Sequence, residues 1–159
     1  MNLYTKKKVA RKSIKNSYKE KVFKQLGALC YRKKRGKIFI LIITSRRSKR
    51  WTIPKGWKLE TINTRKSVAL EAWEEAGAQG KVSSRSIGRF LYRKRDQDNK
   101  FVTCDVNVYS LKVMKMKKKF PEQDQRKLKW VNSEKVQNFL LEPELKNLLV
   151  KFVKGNSKV

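Results

Sequence analysis

Residues 51–78 carry Trp51-Thr-Ile-Pro-Lys-Gly56 and, fifteen positions on, Glu71-Ala-Trp-Glu-Glu-Ala-Gly77. Pro54 biases its predecessor toward extended geometry, so 51–54 reads as a short extended piece. Asn63 or Thr64 can cap a helix that runs to about Ala76, and Gly77 stands where a helix stops. On that helix Glu71, Glu74 and Glu75 lie at i, i+3 and i+4 and share a face, within roughly 100° of arc. Ala69, Ala72, Trp73 and Ala76 fall opposite, so the pattern predicts an alanine and tryptophan face turned inward and three charges turned outward. Like charges at this spacing destabilise a helix by about 0.2–0.5 kcal/mol per pair. Nearby lysines can absorb that cost, or a divalent cation can. Mg²⁺ takes oxygen ligands and keeps several waters, so a few clustered carboxylates plus substrate phosphates suit it.

The rest of the composition narrows the chemistry around this helix. The chain has 159 residues, 42 Lys plus Arg against 13 Asp plus Glu, and no histidine. A Ser-His-Asp triad, a Cys-His pair and a His-ligated zinc are therefore excluded. Acid–base and metal chemistry must rest on carboxylates. The net charge of +29 points to an anionic partner such as nucleic acid, an anionic surface or a phosphate-rich small molecule, and to nothing sharper. Two cysteines, Cys30 and Cys104, lie in apolar strand-like runs and suit buried free thiols in a reducing compartment. No apolar run is long enough to span a membrane, and the basic N-terminus lacks the hydrophobic segment of a secretory signal. A cytoplasmic protein without a membrane partner is the expectation.

Outward from the helix the chain organises as follows. Residues 1–17 form a basic arm, 18–154 a single domain, and 155–159 a fraying tail. A strand is expected over 26–32, entered near 18–23, and a second over the β-branched run 37–44, the two making a hairpin. Residues 45–50 form a basic loop. Strands are predicted over 86–95 and 101–113 with a turn at 96–99, a solvated loop over 115–119, and a short last strand over 127–131. Ser133 is expected to cap a helix carrying Val136, Phe139 and Leu140, and Pro143 to break it before a final helix over 144–154. Strands, one helix, strands, then helices imply an α/β class with a mixed central sheet covered on both faces, an α/β/α sandwich.

The segment quoted first resembles the signature of the Nudix hydrolases, G-x5-E-x7-R-E-U-x-E-E-x-G-U, with U a bulky aliphatic residue. Gly56, Glu71, Glu74, Glu75 and Gly77 fall at the required spacing. The lead-in Trp-x-x-Pro-Lys-Gly is similar to the diphosphoinositol-polyphosphate phosphohydrolase-like branch, and the resemblance covers roughly residues 18–141. Two positions depart from it. Ile62 stands where the first glutamate is usual and Leu70 where the arginine is, while Ala72 and Ala78 occupy the aliphatic positions. Replacing both members of a polar pair with apolar residues avoids one stranded charge and fits a repacked site. Glu60, two positions early, is a weak substitute for the missing glutamate.

The resemblance implies a Nudix-type sandwich and hydrolysis of a diphosphate linked to another moiety. It implies Mg²⁺, or Mn²⁺, held by Glu71, Glu74 and Glu75, with Glu74 or Glu75 helping to deprotonate water. A further glutamate outside the box serves as base in many members; Glu122 is the best match, with Asp124 behind it, and its ordinary alternative is an ion pair with Arg126. Gly56 would let the loop approach the catalytic face. Lys24, Ser45, Arg46, Arg50 and Lys55 match positions that hold substrate phosphates. Trp51 and Trp73 read as core, and Trp57 as the tryptophan best placed to touch substrate. The substrate so implied is a highly phosphorylated small molecule: a diphosphoinositol polyphosphate, a dinucleoside polyphosphate or similar. Two alternatives stay open: hydrolysis at the 5′ end of an RNA, and a catalytically weak module that binds RNA or another polyanion. The oligomeric state is left undetermined.

Overall fold

The computed structural model describes residues 21–157. The expected arm over 1–17 and the last two residues lie outside them. Eight strands form one sheet: β1 (Val22–Lys34), β2 (Lys37–Thr44), β3 (Trp51–Thr52), β4 (Lys55–Trp57), β5 (Ala78–Val82), β6 (Gly88–Arg95), β7 (Phe101–Met116) and β8 (Leu128–Asn132). The central path is β3-β2-β1-β7-β5, with β4 on β1, β6 on β7 and β8 on β2. β1 and β7 run parallel and the other pairs antiparallel, so the sheet is mixed.

Sequence explains which strands sit in the middle. Leu26 to Cys30 is buried without interruption, as expected of a strand covered on both faces. In β7, Val102, Cys104, Val106 and Val108 are buried while the residues between them are half-exposed, the period-two pattern of a sheet with one dry face. Two cores result. Helix α1 (Thr64–Ala76) packs Val68, Ala72 and Ala76 with Leu26, Ala28, Cys30, Leu41, Ile43 and Leu111 on one face. On the other, helix α2 (Pro143–Asn156) packs Leu145, Leu148, Leu149 and Phe152 with Leu29, Ile40, Ile42, Phe90 and Val106. The molecule is an α/β/α sandwich. Both cysteines are free and buried, and among the described residues no helix is long and apolar enough to cross a membrane.

Four expectations are corrected. Residues 115–116, read as loop, complete β7, because β5 pairs with them antiparallel; the sequence Ala-Gln-Gly-Lys-Val has no alternation that would announce β5. Residues 55–57 pair with Gln25, Leu26 and Gly27 of β1. The helix after Ser133 is only a 3₁₀ turn, Val136–Phe139, with Lys135 at its N-cap. The Ser133 amide instead donates to the Ile38 carbonyl, extending the sheet, and Pro143 draws the preceding chain into extended geometry. Finally, α2 does not fray at Gly155. It continues through Asn156, whose carbonyl accepts from Lys33 Nζ at 2.9 Å, while the Ser157 amide donates to Val153.

Candidate active site

Helix α1 is fixed at both ends. Asn63 Oδ1 accepts from the Lys66 amide at 2.9 Å, and Gly77 closes the helix with φ 68°, its amide donating to the Ala72 and Trp73 carbonyls. This sets which side faces the sheet, and the result differs from the simple wheel. Glu75 is only 7% exposed, and Trp73 is half-exposed beside Ile62 and Leu70. The buried stripe runs through Val68, Ala72 and Ala76, and Glu71 and Glu75 follow one residue behind, at the rim of that stripe. The three glutamates therefore do not all point outward.

The sheet meets this rim with backbone. The Lys55 amide in β4 donates to Glu75 Oε2 at 3.2 Å. A side chain at Gly56 would fall onto the Glu71 carboxylate, so glycine here is required by contact with a charged group. Residues 117–126 close the far side. The Lys117 amide donates to the Gly77 carbonyl at 2.7 Å and the Glu122 amide to the Glu74 carbonyl at 3.0 Å. That second bond brings Glu122 to the box glutamates.

Arg126 knits the carboxylates together. Its Nη2 donates to Glu75 Oε1 at 3.0 Å and to Glu122 Oε1 at 3.3 Å, and its Nη1 to the Thr44 carbonyl at 3.1 Å. The Arg126 and Glu75 side chains are 8% and 9% exposed. Arg46 reaches Glu122 Oε1 at 3.3 Å from the 45–50 loop. The ion pair expected as the ordinary role of Glu122 is thus present, but the same guanidinium also holds a box glutamate. Sequence reading missed that link. The four-residue spacing of Glu122 and Arg126 was its only signal, and nothing local ties Arg126 to residue 75.

Burial dominates the electrostatics. It pushes the Glu71 carboxyl up to about 7, with Glu75, Glu74 and Glu122 adding to the rise and Arg126 opposing it. Burial likewise pushes Glu75 up to about 7, against the pull of Arg126 and Lys55. Negative charge is crowded here beyond what one guanidinium relieves. Among the described residues no three acidic, cysteine or histidine side chains form a ready cage for a metal ion. The donor set nevertheless fits a hard dication of the Mg²⁺ type, which binds through one or two carboxylates, waters and substrate phosphates rather than a full protein cage.

The other predicted residues divide. Arg46 is in the site. Ser45 shapes the loop, accepting from the Arg50 amide at 3.2 Å, with its hydroxyl against that of Ser48; the Arg50 side chain is exposed. Lys55 contributes its backbone, while its ammonium donates to Thr52 Oγ1 at 3.3 Å and lies over the Tyr92 ring, and burial lowers its pKa. Lys24 pairs with Asp105 on β7. Asp124 is exposed in the turn. Trp51 packs against the α2-side core. Trp57 is 47% exposed, edge-on to Phe23 with Lys94 over its ring. Ile62 and Leu70 line one open hollow of about 470 Å³ with Lys66, Ala69 and Trp73, so the two departures from the signature occupy the same place in space.

No family model matches the chain. Over 119 residues it is 28% identical to Nudix hydrolase 16, mitochondrial, of Arabidopsis thaliana, covering 72% of this chain and 66% of that protein, just under two thirds of its length. A Caenorhabditis elegans Ap4A hydrolase has the same fold, with a TM-score of 0.60 at 21% identity over 84% of this chain and 98% of its own. So has the NUDIX domain of Shewanella oneidensis NrtR, solved with ADP ribose, at 0.60 and 12% identity over 87% and 92%. The glutamate spacing on a capped helix, the glycine that meets Glu71, the sheet order and these likenesses agree: the chain has the fold of the Nudix hydrolases and resembles them in sequence.

Proposed function

We propose that this chain is a metal-dependent pyrophosphohydrolase that cleaves a phosphoric anhydride in a highly phosphorylated small molecule, such as a diphosphoinositol polyphosphate or a dinucleoside polyphosphate. One observation carries the reading: Arg126 pairs with Glu75 and Glu122, the Glu122 amide is bound to the Glu74 carbonyl, and Glu71 lies within the field of all four groups. Cations gather beside them, where the 45–50 loop touches both the 122–125 turn and the β6–β7 hairpin. The Ap4A hydrolase of C. elegans offers a nucleotide example of such a substrate.

Glu71, Glu74 and Glu75 would hold Mg²⁺ or Mn²⁺. When bound, the ion neutralises charge on the diphosphate and lowers the pKa of a bound water. The residues supply the rest. Arg126 opposes the protonation that burial favours at Glu75, and aims its carboxylate by pairing with it in a site that water barely enters. Glu122, held by the Glu74 carbonyl through its amide and by two guanidinium groups through Oε1, would take a proton from the attacking water. Gly56 lets substrate and strand approach the carboxylates. Arg46 and Arg50 would bind phosphates outside the metal. The buried free thiols suit a reducing compartment such as the cytoplasm.

The test is phosphate and diphosphate release with Mg²⁺ or Mn²⁺ from diadenosine polyphosphates, a diphosphoinositol polyphosphate, nucleoside triphosphates and 5′-triphosphorylated RNA. Turnover that Glu74→Gln abolishes is expected. Absence of turnover on all of them would turn the assignment toward a binding module.

A further inference from the structure

β4 is three residues long and, among the described residues, pairs with one strand, through Gln25, Leu26 and Gly27 of β1. Two backbone contacts of the carboxylates nevertheless come from it: the Lys55 amide that donates to Glu75 Oε2, and the Gly56 backbone that meets Glu71. Contacts at a reacting centre have to be held within about 0.5 Å. A ladder of three residues along one edge supplies little of that rigidity. Side chains on the far face of the sheet supply the rest.

Register puts four of them on the α2 side. Lys55 and Trp57 pair with Gly27 and Gln25 across β4 and β1, and Gln25 pairs in turn with Val106 of the α2-side core. Tyr92 and Lys94 pair with Cys104 and Val102, which alternate in step with Val106. β1 and β7 stand between β4 and β6, and side chains cross them in both directions. The Lys55 ammonium donates to the buried Thr52 Oγ1 and lies 4.6 Å from the centroid of the Tyr92 ring. The Lys94 ammonium reaches back from β6 to 5.2 Å from the Trp57 ring. Both distances are within the reach of a cation–π contact. Neither ring is free to drift. The Tyr92 hydroxyl donates to the buried Gln25 Oε1 at 2.7 Å and its ring packs on the α2-side core, while Trp57 stands edge-on to Phe23 at 5.2 Å.

Lys55 thus faces two ways. Its amide serves Glu75 on the α1 side, and its ammonium is taken up by Thr52 and Tyr92 on the other. This geometry supports an anchor rather than the phosphate contact expected of Lys55 from sequence. We propose that Tyr92 is a positioning residue for the carboxylates: its ring holds the Lys55 side chain, the held side chain aims the Lys55 amide at Glu75, and the Lys94 contact with Trp57 braces the other end of β4. Tyr92 touches neither substrate nor metal in this role. Its effect on metal binding rests on the proposed hydrolase reading, whereas the anchoring of β4 does not.

The experiment has two readouts on the full chain: exchange of the Lys55 amide in metal-free protein by NMR, and Mn²⁺ affinity without substrate by electron paramagnetic resonance. Tyr92→Leu should speed exchange of that amide about tenfold, the loss of one desolvated cation–π contact. It should weaken Mn²⁺ binding by about tenfold as well, as loss of an outer partner of a metal ligand does. Tyr92→Phe keeps the ring and should restore both. Tyr31→Leu removes a different ring from the α2-side core, where Tyr31 meets Phe152, and should move neither. Unchanged Lys55 exchange in Tyr92→Leu would overturn the proposal. So would an equal effect of Tyr31→Leu, which would reduce Tyr92 to general stability, or a Tyr92→Phe protein as impaired as Tyr92→Leu. Faster exchange with unchanged Mn²⁺ affinity would sever the anchor from the carboxylates and overturn it too. Should Tyr92→Leu fail to fold, Lys55→Met, which removes the cation and keeps an unbranched side chain, decides by the same two readouts. Failure of the unaltered chain to bind Mn²⁺ would count against the hydrolase reading, and the amide exchange would still decide the anchor.

Discussion

Arg126 sits almost out of water between two carboxylates, and its removal strands them. Arg126→Met should cost about 3–5 kcal/mol in urea unfolding, the usual penalty for breaking a buried pair from one side. Arg126→Lys keeps the charge but not the fork that serves Thr44, Glu75 and Glu122 together, so it should restore more stability than turnover. Gly56→Ala makes the opposite kind of demand. It adds one methyl against the Glu71 carboxylate, and displacement by about 1 Å should lower turnover about a hundredfold with little change in fold, read from kcat and circular dichroism. Of these two residues the sequence announces only Gly56, by its spacing from Glu71. Arg126 acts across 51 positions, and no local pattern encodes so distant a pairing.

Elements succeed or fail as readings for the same reason. Helix α1 has a side-chain cap, a long window and a left-handed glycine at its end, and its limits follow from residues 63–77 alone. β4 and β5 are short, carry Gly56 and Gly80 and exist because β1 and β7 offer them partners, so tertiary pairing rather than propensity creates them. The inward side of α1 was misjudged because a wheel places residues around an axis without fixing the angle at which the helix lies on the sheet. The stop at Gly77 is testable. Gly77→Ala forces a side chain into φ 68° and toward the Lys117 carbonyl and Phe120 ring, which should lower Tm by roughly 2–8 °C in a thermal melt. Because Lys117 and Glu122 both hang on this helix end, loss of the glycine should also loosen the 117–126 segment, seen as faster amide exchange there.

At the scale of the molecule, the crowded carboxylates couple stability to pH and metal. Glu71 and Glu75 bind protons more tightly folded than unfolded, with pKa values raised to about 7. Their contribution is therefore present at low pH and lost as pH rises through 7. Metal-free protein should melt higher at pH 5.5 than at pH 7.5, and Mn²⁺ should recover the difference at pH 7.5, measured by differential scanning fluorimetry. Charge and box spacing make the candidate site legible from sequence, but its surroundings depend on a central ladder between distant segments: Val22 pairs with Thr103, 81 positions on. That ladder has a consequence for how the chain is made. At about 5–20 residues per second, a ribosome that has released β1 needs about 4–16 s more to release its partner. During that interval the apolar run Leu26 to Cys30 has β2, β4 and α1 to pack with but lacks the β7 ladder, and a chain cut short before residue 101 keeps an open edge that a chaperone or another nascent chain can occupy.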